Sequence, residues 1–562
     1  MDMKHNYIYG LIAILAFFPS VVVAQAAYTP AVDPGIIQQR FKIQQAPTVD
    51  PNSAIITTDE GAGNKTLKGD LTFVFKEIKF VDLTAFSEDD LKPIYASYVG
   101  QEISLTTLNQ IVSKITAYYR NNGYILSRAI LPPQKIDHGV VTVRIIEGAV
   151  DQVQFQGLAV NDGILRDYAD RIRESKPLNA ETLERYLLLM EDLPGLSARA
   201  VIRPSPTVTG ASDVIITLSE KQFDGQIMAD NRGSRYIGPY QTSLTLGANN
   251  VLGVYDRTQI RGIVTPFQTE ELKYGQIQHQ EMLGSDGTML SLSASTTTTN
   301  PGSRLSNLDI HGEDSTYSVE VSHPILRSRK DNLVGALGFD VKNVDVELAN
   351  SDFYQDRLRV ARASFMYDFV DSMLAINRVE FSGSKGVGID DNTDLNIRSR
   401  AVGNTSFLKT NLQVSRLQPV FDYFNLYLSA AGQLSADPLL SAEQFGVGGP
   451  NFASAYDPSE LTGDSGWSGR AELQYSQAPK WDLLKSYQFY GFLDYGKAWK
   501  RHALPGEIES DSLSSTGMGT RLVLPDELFV NVELALPISK KVAIAGEDGD
   551  EPRLFFNLSR NF

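Results

Sequence analysis

The sequence predicts a transmembrane β-barrel of about 16 antiparallel strands, preceded by a plug helix and two α/β domains. Three observations support this prediction. An apolar export segment opens the chain, alternating segments separated by turn formers fill residues 222–562, and the last strand ends on Phe562. Divided among 16 strands, residues 222–562 allow about 21 residues for each strand with its connection, which suits membrane strands of about 9 to 11 residues.

The first 24 residues have the plan of a secretory signal peptide. Lys4 precedes an apolar run from Ile8 to Val23, and the small residues Ala24 and Ala26 follow. The run is short and Pro19 interrupts it, so a membrane-spanning helix is the weaker interpretation. Residues 1–24 are therefore expected to be removed during export.

Residues 25–45 predict a short polar helix. An Asp and a Pro stand where the helix would begin, and a Gln-rich body of about three turns over 33–45 follows. The residues assigned to this plug helix are Asp33, Pro34, Gly35, Ile36, Gln38 and Gln39. The helix has too little apolar surface to dock on a soluble core, so a water-filled barrel is its expected resting place. Residues 46–71 are rich in turn formers and predict a flexible linker that lets this plug leave.

Residues 72–148 and 149–221 predict two α/β domains of the same design. Each contains a strand, two amphipathic helices and two further strands in the same order. The predicted helices are Glu88–Tyr98, Leu108–Asn121, Ile164–Glu174 and Ala180–Asp192. The exposed sheet edges of such domains can accept an extended strand from another protein.

Several stretches, taken in order, resemble one family. "YYRNNGYILSRAILPPQKIDHGVVTVRIIEGAV" (118–150) and "LERYLLLMEDLPGLSARAVIRPS" (183–205) are similar to the first and second POTRA domains of TpsB proteins, the outer-membrane transporters of two-partner secretion. "DNRGSRYIGPYQ" (230–241), "HPILRSRKDNL" (323–333), "GQLSADPLLSAEQFGVGGP" (432–450), "FLDYGKAW" (492–499) and "SLSSTGMGTRL" (512–522) follow the barrel of that family.

The resemblance implies an outer-membrane pore with its POTRA domains in the periplasm. These domains would recognise a large secreted exoprotein such as an adhesin, a cytolysin or a toxin, and the barrel would contact outer-membrane lipid. An assembly factor that inserts other barrels is the alternative from the same superfamily. The plug helix and only two POTRA-like units favour export.

The family's lumen-inserted loop, expected here at about 445–467, carries an Arg in a Val-Arg-Gly-Tyr or Val-Arg-Ala-Tyr tetrad. That Arg pairs with the Asp of a Phe-x-Asp-x-Gly motif. In this chain the tetrad ends on Tyr456 and has Ser454 at the Arg position, whereas the barrel motif keeps Asp494 and Gly496. Because a Ser hydroxyl offers only one hydrogen bond, a wall guanidinium is expected to hold Asp494. Strand alternation makes Arg470 the first candidate and Arg521 the second, with Ser454 a bystander or a weak second donor.

Other chemistry has little support. The absence of Cys excludes thiol catalysis and thiolate metal sites, and a net charge of −16 argues against nucleic acid as a partner. Gly463-Asp464-Ser465-Gly466 resembles the surroundings of a serine-protease nucleophile, but no companion motif accompanies it. The acidic run 390–394 lacks the Gly and the distal Glu of a calcium loop. No catalytic, cofactor-binding or metal-ligating residue is therefore predicted, and no cofactor is expected.

Overall fold

A computed structural model describes residues 29–41, 47, 49, 56–58, 71–158, 163–388, 397–539 and 551–562. The predicted signal peptide, most of the predicted linker and the acidic run 390–394 lie outside these residues. Within the described ranges, no helix is long and apolar enough to cross a membrane.

The described residues ahead of the two domains form a 3-10 turn (Pro30–Val32), an α-helix and a strand. Helix α1 (Pro34–Arg40) begins at the N-cap Asp33, whose side chain accepts hydrogen bonds from the backbone N–H groups of Gly35 and Ile36. It ends after seven residues, so the expectation of three turns over 33–45 is wrong in length. Strand β1 (Ile56–Thr58) lies in the stretch expected to be a flexible linker. Its β-branched residues favour extended backbone, so at this point local propensity and pairing prevail over the surrounding turn formers.

The first domain packs two helices on a small sheet. The longer helix buries Leu108, Ile111 and Ile115 on one face, and Ser87 begins the shorter one with a capping box. Three strands form the main sheet in the order β3-β6-β5, and β2 pairs with β4. The elements are β2 (Thr72–Val74), β3 (Glu77–Val81), α2 (Glu88–Tyr95), β4 (Glu102–Ser104), α3 (Leu105–Asn121), β5 (Arg128–Ile130) and β6 (Val140–Ile146).

The second domain repeats the plan, and its sheet includes β1. Strand β1 runs parallel to β8 and pairs with Ala200, Val201 and Ile202, which gives the order β1-β8-β9-β7. The domain's elements are β7 (Val150–Gln156), α4 (Gly163–Glu174), α5 (Ala180–Glu191), β8 (Leu196–Pro204) and β9 (Ser212–Glu220). The segment before the domains therefore covers the β8 edge of the second sheet.

Sixteen antiparallel strands close into a barrel, which confirms the predicted fold class. The ring closes where β10 pairs with β27 over five residues of each strand, Gln226–Asp230 and Asn557–Asn561. The terminal Phe562 extends this seam through backbone hydrogen bonds with Gly225. The barrel strands are β10 (Phe223–Asp230), β11 (Gln241–Asn249), β12 (Arg257–Val264), β13 (Leu272–Met282), β14 (Met289–Thr299), β15 (Ile310–Arg327), β16 (Asp331–Leu348), β17 (Ser351–Val370), β18 (Ile376–Gly386), β19 (Leu408–Phe421), β20 (Phe424–Ser435), β23 (Ser465–Gln477), β24 (Ser486–Trp499), β25 (Ser510–Leu524), β26 (Leu528–Pro537) and β27 (Arg553–Asn561).

The connection between β20 and β23 is an inserted loop, residues 436–464. It contains a 3-10 turn (Ser441–Glu443) and a small hairpin of β21 (Phe445–Val447) and β22 (Leu461–Gly463). The expected bounds of 445–467 are therefore shifted, because the loop starts earlier and residues 465–467 already belong to the wall strand β23.

Candidate functional site

Helix α1 and the inserted loop fill much of the barrel lumen. Apolar residues before and within the helix, including Val32 and Ile37, pack in one cluster with wall residues and with Leu439 and Leu440 of the loop. The helix thus has more apolar contact than its polar sequence predicts. A cavity of about 570 Å³ remains beside Arg40 and Phe41. Pro450, Asn451 and Phe452 of the inserted loop also line this cavity.

Asp33 fixes the start of α1 to the wall. The carboxylate is 1% exposed, and besides capping the helix it accepts a 2.6 Å hydrogen bond from the Tyr354 hydroxyl of β17. Pro34 follows at the first helical position, where its missing N–H costs nothing. At the other end Arg40 donates 2.7 Å to Gln241 of β11. Polar contacts to opposite sides of the ring therefore hold both ends of the helix.

The middle of α1 contacts both the wall and the inserted loop. The Gln38 amide lies against Thr316 of β15, and the Gln39 side chain donates to the carbonyl of Ala442 in the loop's 3-10 turn. A Cβ on Gly35 would lie 2.8 Å from the Ala442 Cβ, so this close approach requires glycine. Ile36, assigned to the plug helix, lies within it and is buried. Plug and loop therefore interlock.

We expect Gly35→Val to displace the plug without deleting it, because the new side chain overlaps Ala442. Conductance of the purified protein in planar bilayers should rise several-fold and approach that of a variant lacking residues 29–41. Gly383→Val on β18, where an added Cβ meets no atom within 4 Å, is the matched control for added bulk and should leave the conductance unchanged. Conductance equal to that of the unaltered protein in both the Gly35→Val and the deletion variants would mean that α1 does not limit the pore.

The tip of the loop reaches Asp494 through Ser454. The backbone N–H and the hydroxyl of Ser454 donate to Asp494 Oδ2 at 3.2 and 2.6 Å, and the Ser515 hydroxyl donates to Oδ1. Arg470 lies 3.5 Å from the same carboxylate and donates 2.7 Å to the Ser454 hydroxyl. All of these groups are buried. Of the two expectations for Ser454, the bystander role is wrong, and the role of a donor to Asp494 agrees with the geometry. Ser454 is a close donor rather than a weak one, and its hydroxyl joins the wall guanidinium to the carboxylate.

Arg470 also belongs to a wider wall network. Its guanidinium contacts Glu472 at 2.8 Å and Glu533 at 3.3 Å, and it stacks 3.8 Å above the Phe492 ring. Arg521, the second candidate, pairs with Glu472 at 2.6 Å and stacks on Tyr490, and no contact with Asp494 is found in the described part of the chain. The ranking of Arg470 over Arg521 thus agrees with the geometry, and Arg521 is not the substitute partner.

The two other loop-anchor residues lie nearby. Tyr456 is buried and donates 2.7 Å to the carbonyl of Ser539, beyond β26. A Cβ on Gly496 would lie 2.4 Å from a methyl of Val447, so glycine allows β21 to pass close to the wall. Ser465, weighed as a nucleophile, accepts the backbone N–H of Ser435 and starts β23.

Three loop carboxylates that the sequence reasoning missed hold the rest of the loop. Asp457 pairs with Arg235 and Arg553, Asp464 pairs with Arg400, and Glu443 pairs with three wall cations. A composition count would have found them, since residues 436–464 contain five acidic residues and neither Lys nor Arg. The loop therefore brings negative charge to a basic wall, the reverse of a loop that brings an Arg to a wall Asp.

Helix α5 of the second domain rests on the barrel. Asp192 accepts two 2.7 Å hydrogen bonds from Arg327 at the end of β15, and Glu184 pairs at 3.0 Å with Arg329 in the following turn. This face of α5 is therefore occupied by the barrel. The pairing holds the domain at the barrel mouth.

Comparisons with known proteins agree with this architecture. A model of the family described as haemolysin secretion/activation protein ShlB/FhaC/HecB matches residues 210–522. A ShlB-type POTRA domain model matches residues 73–148.

Similar proteins cover most of the chain. The heme/hemopexin transporter protein HuxB of Haemophilus influenzae is 23% identical over 484 residues, which cover 84% of each chain. The outer membrane transporter CdiB of Dickeya dadantii is 24% identical over 434 residues, covering 75% of this chain and 76% of its own. The solved structure of CdiB from Escherichia coli superposes with a TM-score of 0.70 at 19% identity, covering 90% of this chain and 93% of that one, and shows the same fold.

Proposed function

Because the chain belongs to the haemolysin secretion/activation family ShlB/FhaC/HecB, we propose that it exports one large partner protein through its own lumen. It is an outer-membrane β-barrel transporter of two-partner secretion, and its POTRA domains face the periplasm. The observation that carries the proposal is the lumen itself, which two segments of the same chain occupy and whose remaining cavity is lined in part by charged side chains such as Arg261, Glu472 and Arg521. An unfolded polypeptide can cross such a lumen with its amides hydrated once these segments move.

The partner is a large exoprotein of the adhesin, cytolysin or toxin class. Export proceeds without nucleotide hydrolysis, and folding of the partner outside the cell supplies the direction. Residues 491–497 match Gly-x-x-x-x-Gly-Lys, but Ala498 stands where a phosphate-binding loop needs Ser or Thr, and the whole stretch lies within the barrel strand β24 rather than in a loop before a helix. Exposed apolar side chains on the outer barrel surface, such as Leu337, Phe365 and Leu493, contact outer-membrane lipid.

Recognition uses the edges of the POTRA sheets. Backbone hydrogen bonds at a sheet edge accept many sequences, which suits a transporter that must hold an extended segment of its partner. In the second domain β1 already occupies the β8 edge with three residues. A partner strand that pairs with more residues of β8 displaces β1, because it gains the ladder bonds that β1 leaves unused.

Deleting residues 72–148 should abolish secretion of the partner while the barrel still inserts. The second domain keeps its own contacts with the barrel, through Arg327 and Arg329, so the deletion does not remove the barrel's periplasmic support. Secreted partner is measured in the culture medium, and barrel insertion by heat-modifiable migration of the membrane fraction. Undiminished secretion would place recognition outside the first domain and contradict this part of the proposal.

A further inference from the structure

The inserted loop places one carboxylate, Glu443, among three cations of the barrel wall. Lys342 of β16 and Arg362 of β17 lie 2.8 Å from its Oε1, and Lys409 of β19 lies 2.7 Å from its Oε2. The Glu443 side chain is 1% exposed, Lys342 is 4% exposed and Lys409 is 5% exposed. We call these three wall residues, Lys342, Arg362 and Lys409, the cation cage.

The cage belongs to the wall, whereas its occupant belongs to the loop. Its three cations come from barrel strands, but Glu443 stands on the 3-10 turn that touches the plug helix at Ala442. Two wall carboxylates lie near the cage, because Asp340 pairs with Arg362 at 2.6 Å and the buried Asp314 of β15 interacts electrostatically with Lys342. With Glu443 in place, three cations therefore face three carboxylates. Withdrawal of the loop leaves an excess of one buried positive charge, an arrangement that favours entry of another carboxylate.

We propose that the cation cage is a carboxylate-binding site of the open channel, which Glu443 occupies at rest and which acidic side chains of the exported chain occupy during passage. The proposal rests on the proposed function and adds a substrate feature to it. The cage is placed where plug and loop meet, so displacement of both segments uncovers it. Because Glu443 already shows the geometry that a Glu or Asp side chain would adopt, the site is built before the exported chain arrives.

Two substitutions separate this role from simple anchoring of the loop. Glu443→Gln removes the resident competitor, and the double variant Lys342→Gln with Lys409→Gln removes two of the three cage charges. We expect export by Glu443→Gln to be maintained or faster, and export by the double variant to be several-fold slower, as measured by pulse-chase appearance of the partner outside the cell. Lys385→Gln, an exposed lysine on β18 that contacts the carbonyl of Ser406, is the matched control and should leave the rate unchanged.

A second measurement needs no secretion. The full-length Glu443→Ala protein is purified in detergent, and its unfolding temperature is measured with sodium propionate and with propionamide, which are small enough to fill the space that the Glu443 side chain leaves while the loop stays in place. Propionate should raise the unfolding temperature in a saturable way, propionamide should not, and the response should vanish when Lys342→Gln and Lys409→Gln are added.

The outcomes divide clearly. Equal slowing of export by Glu443→Gln and by the double variant would show that the cage only anchors the loop, and it would overturn the inference. An unchanged export rate in the double variant, or equal responses to propionate and propionamide, would overturn it as well while leaving the export function in place. Loss of export in the Lys385→Gln control would instead implicate the general fold of this wall.

Discussion

Arg470→Ala is expected to abolish most secretion, because it removes the cation on which the loop anchor depends. Three buried carboxylates, Asp494, Glu472 and Glu533, contact this guanidinium, and the Ser454 hydroxyl receives a hydrogen bond from it. Breaking a buried ion network by deleting one partner costs about 3 kcal/mol even at the low end of its usual range. Secreted partner is compared at equal amounts of inserted barrel.

The neighbouring substitutions should follow a graded pattern. Ser454→Ala loses hydrogen bonds worth about 1 kcal/mol each and should reduce secretion less than Arg470→Ala. Asp494→Ala combined with Arg470→Ala should be little worse than Arg470→Ala, since both changes disrupt one network. Arg470→Ala combined with Ser454→Arg should recover part of the activity, because a guanidinium from the loop then faces Asp494. A silent Arg470→Ala, together with a Ser454→Ala as damaging as Asp494→Ala, would show that the loop holds Asp494 without the wall.

Locking β1 to β8 by a disulfide should block secretion until the bond is reduced. Thr57 and Val201 are direct partners in the parallel pairing, and adjacent strands lie about 4.8 Å apart, within the range that a disulfide spans. The chain contains no Cys, so Thr57→Cys with Val201→Cys creates a single pair. If the partner enters the sheet where β1 lies, the oxidised protein cannot accept it. Secretion by the same cells should resume after a membrane-permeant reductant is added.

The single variants Thr57→Cys and Val201→Cys are the controls and should secrete normally under both conditions. Formation of the engineered disulfide is verified by gel mobility before and after reduction, because only this bond holds β1 on the β8 edge. Full secretion by the oxidised double variant would place partner binding at another edge, such as β7 or β5.

The sequence predicted those parts of the fold that local pattern determines. Helices Glu88–Tyr95 and Leu105–Asn121 follow from apolar residues at helical spacing and from their caps, and the barrel strands follow from alternation. The plug was found from Asp33 and Pro34, but its length was not, because the helix ends at Arg40 where contacts with Arg232 and Gln241 take over. Propensity carries no information about such tertiary contacts.

The loop anchor was only partly predictable for a related reason. Alternation places Arg470 on the lumen side near Asp494, but it cannot reveal that Ser454 lies between them, since that depends on how the loop folds back. The partners of Asp192 and Glu184 were equally hidden, because Arg327 and Arg329 are far away in sequence. Pairings between distant segments need a three-dimensional structure.

The short strand β1 competes with the exported partner for the β8 edge of the second domain. It belongs to the same chain as the domain whose edge it covers, so it rebinds intramolecularly, at an effective concentration that can be on the order of millimolar. A partner strand with the same affinity for the β8 edge would not displace β1 at any ordinary periplasmic concentration. Only a chain that engages a second site at the same time, and so also binds intramolecularly, can hold the edge. Selectivity for one exoprotein can therefore arise from avidity rather than from the sequence of the pairing strand.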